Sequence, residues 1–343
     1  MELKKIIFRA DGNSEVGLGH LSRLFSLVEM LKDKYKCFFL TKSDSFIEII
    51  PKEYNVDIIP KNILFYEEPN WIYKKYSSSE FIIIADGYSF TSNYQKELKK
   101  YGFKLIYIDD LVNERMYADI VINHSLNIKA EDYTVNNNNN NTIYALGSDY
   151  ALLRPQFIHA ARKSREIKEI NEVFICFGGV DYYNLSNEAL KGIVNIESIK
   201  KIHVVVGEFN DDNKSLNSII KENSKVFVYK NISEEIMIKL MNKCHLAIIP
   251  SSTISYEACS VKMIILGGYY VKNQERINKG LDLNGLIYNV GDFKKLKSID
   301  FKHKVLDIIH DFPENHELKL QKQSIFFDGN QKERFDKLIY SLC

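Results

Sequence analysis

Gly17, Gly19 and His20 stand together in the stretch FRADGNSEVGLGHLSR, residues 8–23. The apolar Ile6-Ile7-Phe8 at its start reads as the end of a strand, and LSRLFSLVEMLK after it has helical period. Glycines at such a turn let the backbone approach a ligand and point free N–H groups at it. A histidine at the head of the helix faces whatever the loop holds, and it can exchange a proton near neutral pH. The plain alternative is a histidine that merely caps or packs. A dinucleotide fingerprint would want a third glycine where Ser22 stands and an acid closing the next strand, and Asp44 falls beyond that place.

Three more strand-to-helix junctions carry polar chemistry. In Cys176-Phe-Gly178-Gly179-Val-Asp181-Tyr-Tyr-Asn184, the glycine pair can lie against a ligand, and Asp181 can bind it or simply cap the helix. In Pro250-Ser251-Ser252-Thr253-Ile-Ser-Tyr256-Glu257, hydroxyls at a helix start would seat a diphosphate through N–H donors, O–H donors and the helix dipole. Glu257, one turn further in, can accept from ribose hydroxyls or be an ordinary first-turn acid. Val271-Lys272-Asn273-Gln274-Glu275 is a polar cluster after a strand and by itself only a loop. Asp86 and the pair Asp109-Asp110 close strands and could reach the cleft, though an acid at a strand end is commonly just a helix cap.

Asp-x-Asp does not occur, the eight histidines are scattered, and no P-loop or GxSxG elbow is present. The five cysteines form no CxxC pair and read as reduced core residues. No metal and no cofactor is therefore expected, and a diphosphate would be neutralised by helix N-termini. A net charge of +1 favours neither nucleic acid nor an anionic membrane surface. The N-terminal apolar run is too short for a signal peptide and no later run spans a bilayer, so a cytoplasmic monomer without a membrane anchor is expected.

The elements that must position these residues alternate in type. KKIIF, CFFL, FIIIAD, KLIYID and DIVIN are strands without polar alternation, separated by helical segments in residues 21–35, 44–50 and 93–102. A second series, VFICFGG, IHVVVG, KVFVYKN, LAIIPSS, MIILGGY and GLIYNVG, follows from Glu172. The fold class is α/β, two Rossmann-like domains facing a cleft at their strand carboxyl ends. Domain boundaries are expected at 1–153 and 171–343, with 154–170 a linker and a helical tail that could pack back across the first domain. The asparagine run at 136–141 reads as a lengthened surface loop.

The segments FRADGNSEVGLGHLSR, ADGYSF, YIDD, SDYALLRPQF, CFGGVDYYNLS, SSTISYEA and VKNQE occur here in the order they take in one family. Over about residues 4–290 the chain resembles the PseG family, the UDP-2,4-diacetamido-2,4,6-trideoxy-β-L-altropyranose hydrolases of pseudaminic acid biosynthesis. Spore-coat polysaccharide proteins share the first loop. The resemblance implies a GT-B fold and inverting hydrolysis of a UDP-sugar at the anomeric carbon. It implies His20 as the base for water, Tyr88 in the sugar pocket and Asn273 beside the reacting sugar. Ser252, Thr253 and Glu257 would fall on the UDP segment, joined by Gly178 and Gly179. Tyr256 stands where the family often has asparagine, and Gly12-Asn13 where it often has serines. A GT-B glycosyltransferase moving the sugar to an acceptor hydroxyl is the second reading. The first domain lacks a clear basic, aromatic helix for a membrane-bound acceptor, which tilts the balance to the hydrolase.

Overall fold

The computed structural model describes residues 4–13, 17–134, 141–178, 181–207, 219, 222–313 and 315–342. Gly179, residues 136–140 of the asparagine run and Cys343 lie outside them. The chain forms two compact units, residues 1–155 with 330–343, and residues 156–329.

In the first unit the strands β1 (Lys5–Arg9), β2 (Lys36–Lys42), β3 (Asn55–Ile59), β4 (Phe81–Asp86), β5 (Lys104–Ile108), β6 (Ile120–Asn123) and β7 (Ile143–Leu146) form one parallel sheet in the order β3-β2-β1-β4-β5-β6-β7. Central strands β1 and β4 are buried along nearly their whole length, as continuous apolar runs covered on both faces require. The covering helices are α1 (Gly19–Leu31), α2 (Glu68–Lys75), α3 (Ser92–Lys100) and the short α4 (Ala130–Thr134). Helix α1 buries Leu21, Leu24, Leu27, Val28 and Leu31 in one stripe. Each such side chain contributes about 1.5–3 kcal/mol.

Register decides what meets at the strand ends. Arg9 of β1 lies opposite Ala85 of β4, and Asp86 lies opposite Ile108 of β5. The carboxyl ends of β1, β4 and β5 are therefore flush. The chain runs from β1 to β2 on one side and reaches β4 on the other, so the crevice of the first unit opens between the β1 and β4 loops.

The second unit repeats this plan. Strands β8 (Glu172–Cys176), β9 (Lys201–Val206), β10 (Val226–Lys230), β11 (Leu246–Pro250), β12 (Ile264–Tyr269) and β13 (Tyr288–Asp292) are parallel in the order β10-β9-β8-β11-β12-β13. Helices α5 (Pro155–Ala161), α6 (Leu185–Ile193), α7 (Glu234–Lys243), α8 (Thr253–Ser260), α9 (Lys272–Leu283), α10 (Ser298–His310) and α11 (His316–Phe326) follow in the chain. Here the switch point lies between β8 and β11.

Several expectations differ from what is observed. The linker 154–170 is not free chain. It opens with α5, and its Ile167 and Ile170 belong to the second unit's core. Its Arg165 donates to the carbonyls of Met241, Val261 and Cys244. The helical tail, read as able to pack back across the first domain, forms α12 (Gln331–Tyr340) within the first unit, so the second unit ends at Gly329 rather than at residue 343. There Phe335 packs edge-on to Tyr150 at 5.7 Å, Gln331 donates to the Ser148 carbonyl, and Asp336 and Lys332 pair with Lys34 and Asp33. Strands β3 and β7 carry mixed burial at the sheet's two edges, so they lack the continuous apolar run that marks the inner strands. Residues 44–50 hold only a 3-10 turn at Ile47–Ile49, and the VKNQE cluster opens helix α9 rather than a loop.

Candidate active site

His20 is the second residue of α1 and is 6% exposed. Its Nδ1 lies 2.7 Å from Oδ1 of Asp86, the last residue of β4. Arg23, one helical turn on, donates from Nε to Asp86 Oδ2 at 2.9 Å and from Nη2 to Asp86 Oδ1 at 2.6 Å. Its Nη1 donates to both oxygens of Asp110, at 2.6 and 2.8 Å. Arg23 Nη2 is also 3.0 Å from His20 Nδ1. A carboxylate only accepts and a guanidinium only donates, so the shorter contact decides the tautomer. In a neutral ring that contact puts the proton on Nδ1 toward Asp86 and leaves Nε2 with its lone pair. Nε2 makes no hydrogen bond to any described residue.

Electrostatics hold Arg23 and Asp110 in their charged forms. Burial alone would raise the Asp110 carboxyl, but the Arg23 guanidinium bound to it brings it down to about 2. Burial likewise opposes the Arg23 charge, and Asp110 and Asp86 outweigh it, holding its pKa well above the ordinary value. Asp109 next door has another task. It accepts from the N–H groups of Leu111 and Val112 and from the Tyr133 hydroxyl, so it caps a turn rather than a helix. His124, buried just beyond β6, is pushed down to about 4 by burial and then by Arg23, so it is neutral above that.

Tyr88, 44% exposed, stands edge-on to His20 with ring centroids 4.8 Å apart, and its hydroxyl reaches Asp110 Oδ2 at 3.4 Å. Gly17 has φ of +74°, which favours glycine, and its N–H donates to the Asn13 carbonyl. A side chain at Gly19 would meet nothing within 4 Å, so the space before it is open. Leu18 caps α1 without a side-chain bond, leaving the first-turn N–H groups available to a ligand. The loop is anchored from below. Arg9, fully buried, donates to Glu68 at 2.6 Å and to Asp11 at 2.6 and 2.9 Å, over the face of Phe90. Asp11 in turn accepts from Thr41 and from the Lys42 N–H.

In the second unit, Gly178 and the segment 252–257 follow the two strands that flank the switch point, whereas Asn273 follows β12 and Gly179 lies outside the described residues. Gly178, two residues after β8, has φ of +88° and lies near the Tyr270 hydroxyl that donates to the Phe177 carbonyl. Asp181 accepts from the N–H groups of Leu185 and Ser186, so it caps α6. Ser252 and Thr253 start α8, and their hydroxyls bond to no described residue, whereas Ser251 is buried and donates to Asn278. Glu257 is buried one turn below Thr253 on the same helix. Tyr256 is fully buried against Phe327, so it faces the core. Asn273 is exposed near the start of α9, after β12.

Sequence reasoning passed over Arg23. Its signal was available, since it sits at i+3 from His20 beside the apolar stripe of α1, where a charged side chain must find partners. The scattered histidines also concealed one grouping, in which Glu172, His203 and Cys244 bring ligand atoms within 4.8 Å of one another. It lies at the amino ends of the second sheet, where Glu172 pairs with Lys201 and His203 with Tyr229.

No family model matches the chain. Over 273 residues it is 32% identical to the UDP-2,4-diacetamido-2,4,6-trideoxy-β-L-altropyranose hydrolase of Campylobacter jejuni, covering 79% of this chain and 93% of that one. The chain belongs to that hydrolase family. It is an enzyme of this nucleotide-sugar-processing kind. The spore coat polysaccharide biosynthesis protein SpsG of Bacillus subtilis is 24% identical over 289 residues, 82% of each chain. Among solved structures, MurG of Acinetobacter baumannii superposes with a TM-score of 0.66 at 11% identity, covering 98% of this chain and 99% of that one. The calicheamicin glycosyltransferase CalG4 gives 0.65 at 9% identity, covering 99% and 98%. These likenesses place the fold in the GT-B class. No described helix of this family member is long and apolar enough to cross a membrane.

Proposed function

We propose that the enzyme hydrolyses a UDP-activated diacetamido-trideoxy-sugar at its anomeric carbon, on the way to pseudaminic acid or a related nonulosonic acid. The observation that carries this reading is the 2.7 Å contact of His20 Nδ1 with buried Asp86, which leaves Nε2 as an open base. In the proposed step Nε2 takes a proton from water and the water oxygen bonds to the anomeric carbon. The carbon–oxygen bond to the diphosphate breaks on the opposite face, its electron pair leaving with UDP and the configuration inverting. Asp86 steadies the imidazolium that forms without taking its proton, as in other His–Asp pairs.

The remaining roles rest on the same residues. The open space at Gly19 and the uncapped start of α1 favour a close, anionic substrate group, and Tyr88 and Asn273 would contact the sugar. In the second unit, Gly178 and Gly179 would let the nucleotide lie close. Ser252 and Thr253, whose hydroxyls are uncommitted, would hold the diphosphate at the head of α8, and Glu257 would take the ribose hydroxyls. Helix N-termini then do the work that a metal does at other diphosphate sites. Replacing His20 with Asn should lower kcat by about 10²–10⁴ while UDP binding persists, because only the base is removed. A variant within tenfold of the parent would refute the assignment.

A further inference from the structure

Arg23 touches every acid of the cluster but is itself 8% exposed, too deep to meet the sugar. Three elements converge on it. Asp86 comes from the end of β4, Asp110 from the loop after β5, and His20 from its own helix, with Nη2 set between Asp86 Oδ1 and His20 Nδ1. The groups facing the imidazole are Asp86 at 2.7 Å, Arg23, the edge of Tyr88 and, through Arg23, Asp110 with buried His124 behind it. Two carboxylates and one guanidinium leave a single net negative charge around the ring. Without Arg23 there would be two, and nearby opposite charges favour the protonated imidazole. A protonated His20 cannot accept a proton from water.

We propose that Arg23 is a positioning residue that divides the charge of Asp86 and Asp110, so that Asp86 orients His20 without keeping it protonated. This rests on the reading of His20 as the base. The bridging fork also fixes the Asp86 carboxylate plane, since Nε and Nη2 bind its two oxygens side by side. Lysine has no such fork, so Arg23→Lys keeps the charge but loses one of the two bridged acids.

The test is the titration of His20 in the intact chain, followed by NMR on protein labelled with nitrogen-15 histidine and assigned with the His20→Asn variant. Three variants give signed expectations. Arg23→Gln moves the His20 titration to higher pH, and Asp110→Asn moves it to lower pH. The double variant, which restores one net negative charge, brings it back near the parent. Turnover should follow, with kcat of Arg23→Gln down at least about tenfold at pH 7, recovering as pH rises, and KM little changed. If Arg23 only holds the fold together, the melting temperature drops but the titration and the acid limb of the rate profile stay where they are, which overturns the proposal. Should Arg23→Gln not fold, the downward shift in Asp110→Asn carries the test alone, and its absence is equally decisive. The two readings fail separately. An active His20→Asn enzyme with intact titration shifts removes the base assignment, whereas an inactive one with unmoved titrations removes only the role of Arg23.

Discussion

Asp86→Asn is the sharpest perturbation of the candidate site, because it keeps the side chain's shape and removes only its charge. Asp86 is fully buried and accepts three hydrogen bonds, one from His20 and two from Arg23. An asparagine can present its oxygen to one of these donors only by turning its NH2 toward another. With its NH2 in the Oδ2 place the asparagine opposes Arg23 Nε; with its NH2 in the Oδ1 place it faces both Arg23 Nη2 and His20, which must then accept at Nδ1 and carry its proton on Nε2. There the base is lost by tautomer rather than by displacement. Correct general-base geometry is worth about 10²–10⁴ in rate, so the expected loss is about 3–5 kcal/mol of transition-state stabilisation. Removing one partner of a buried ion pair also costs about 3–5 kcal/mol of folding free energy, so the comparison must be made well below the melting temperature. UDP release measured over substrate concentration should show kcat reduced by those factors with KM within about threefold. Calorimetry should return an unchanged Kd for UDP, because the residues proposed to bind UDP in the second unit are untouched. An Asp86→Asn enzyme that turns over within tenfold of the parent, while folded, would refute the claim that this carboxylate sets the histidine's tautomer.

Two further outcomes follow from burial. His124 has its folded pKa depressed to about 4, below an unfolded value near 6.5, so its contribution to stability is complete above pH 6.5 and lost as pH falls toward 4. The full effect is about 3 kcal/mol, and urea unfolding followed at Trp71, the single tryptophan, should show the midpoint falling across that window and flattening in His124→Gln. Glu257→Ala should raise the Kd for UDP about tenfold or more, as expected for the loss of a hydrogen bond to a charged group, and an unchanged value by calorimetry would leave Glu257 as a core acid.

The inner strands were legible because parallel strands covered on both faces must be apolar throughout, and FIIIAD or LAIIP admits no other reading in that context. Edge strands β3 and β7 were not, since most of their residues are exposed or only half-buried and the run is broken. The helical period of the tail suggested that it could pack back on the first domain, but the contacts that seat α12 there, such as Phe335 with Tyr150, are encoded by no local pattern. At the site, His20 was visible because glycines and a helix start announce a ligand. Asp86 and Asp110 were visible only as strand-end acids, and nothing in the sequence separates Asp110 from Asp109, which caps a turn. Register separates them, because β4 and β5 end level and Arg23 reaches across. Position in the sheet, rather than residue type, made the cluster.

The central claim is that water, activated by His20, attacks the anomeric carbon. Incubating the enzyme with the UDP-diacetamido-trideoxy-sugar in oxygen-18 water and analysing both products by mass spectrometry tests it directly. The account predicts one labelled oxygen in the free sugar and none in UDP. Label in UDP would mean attack at phosphorus, and it would contradict the role given to His20.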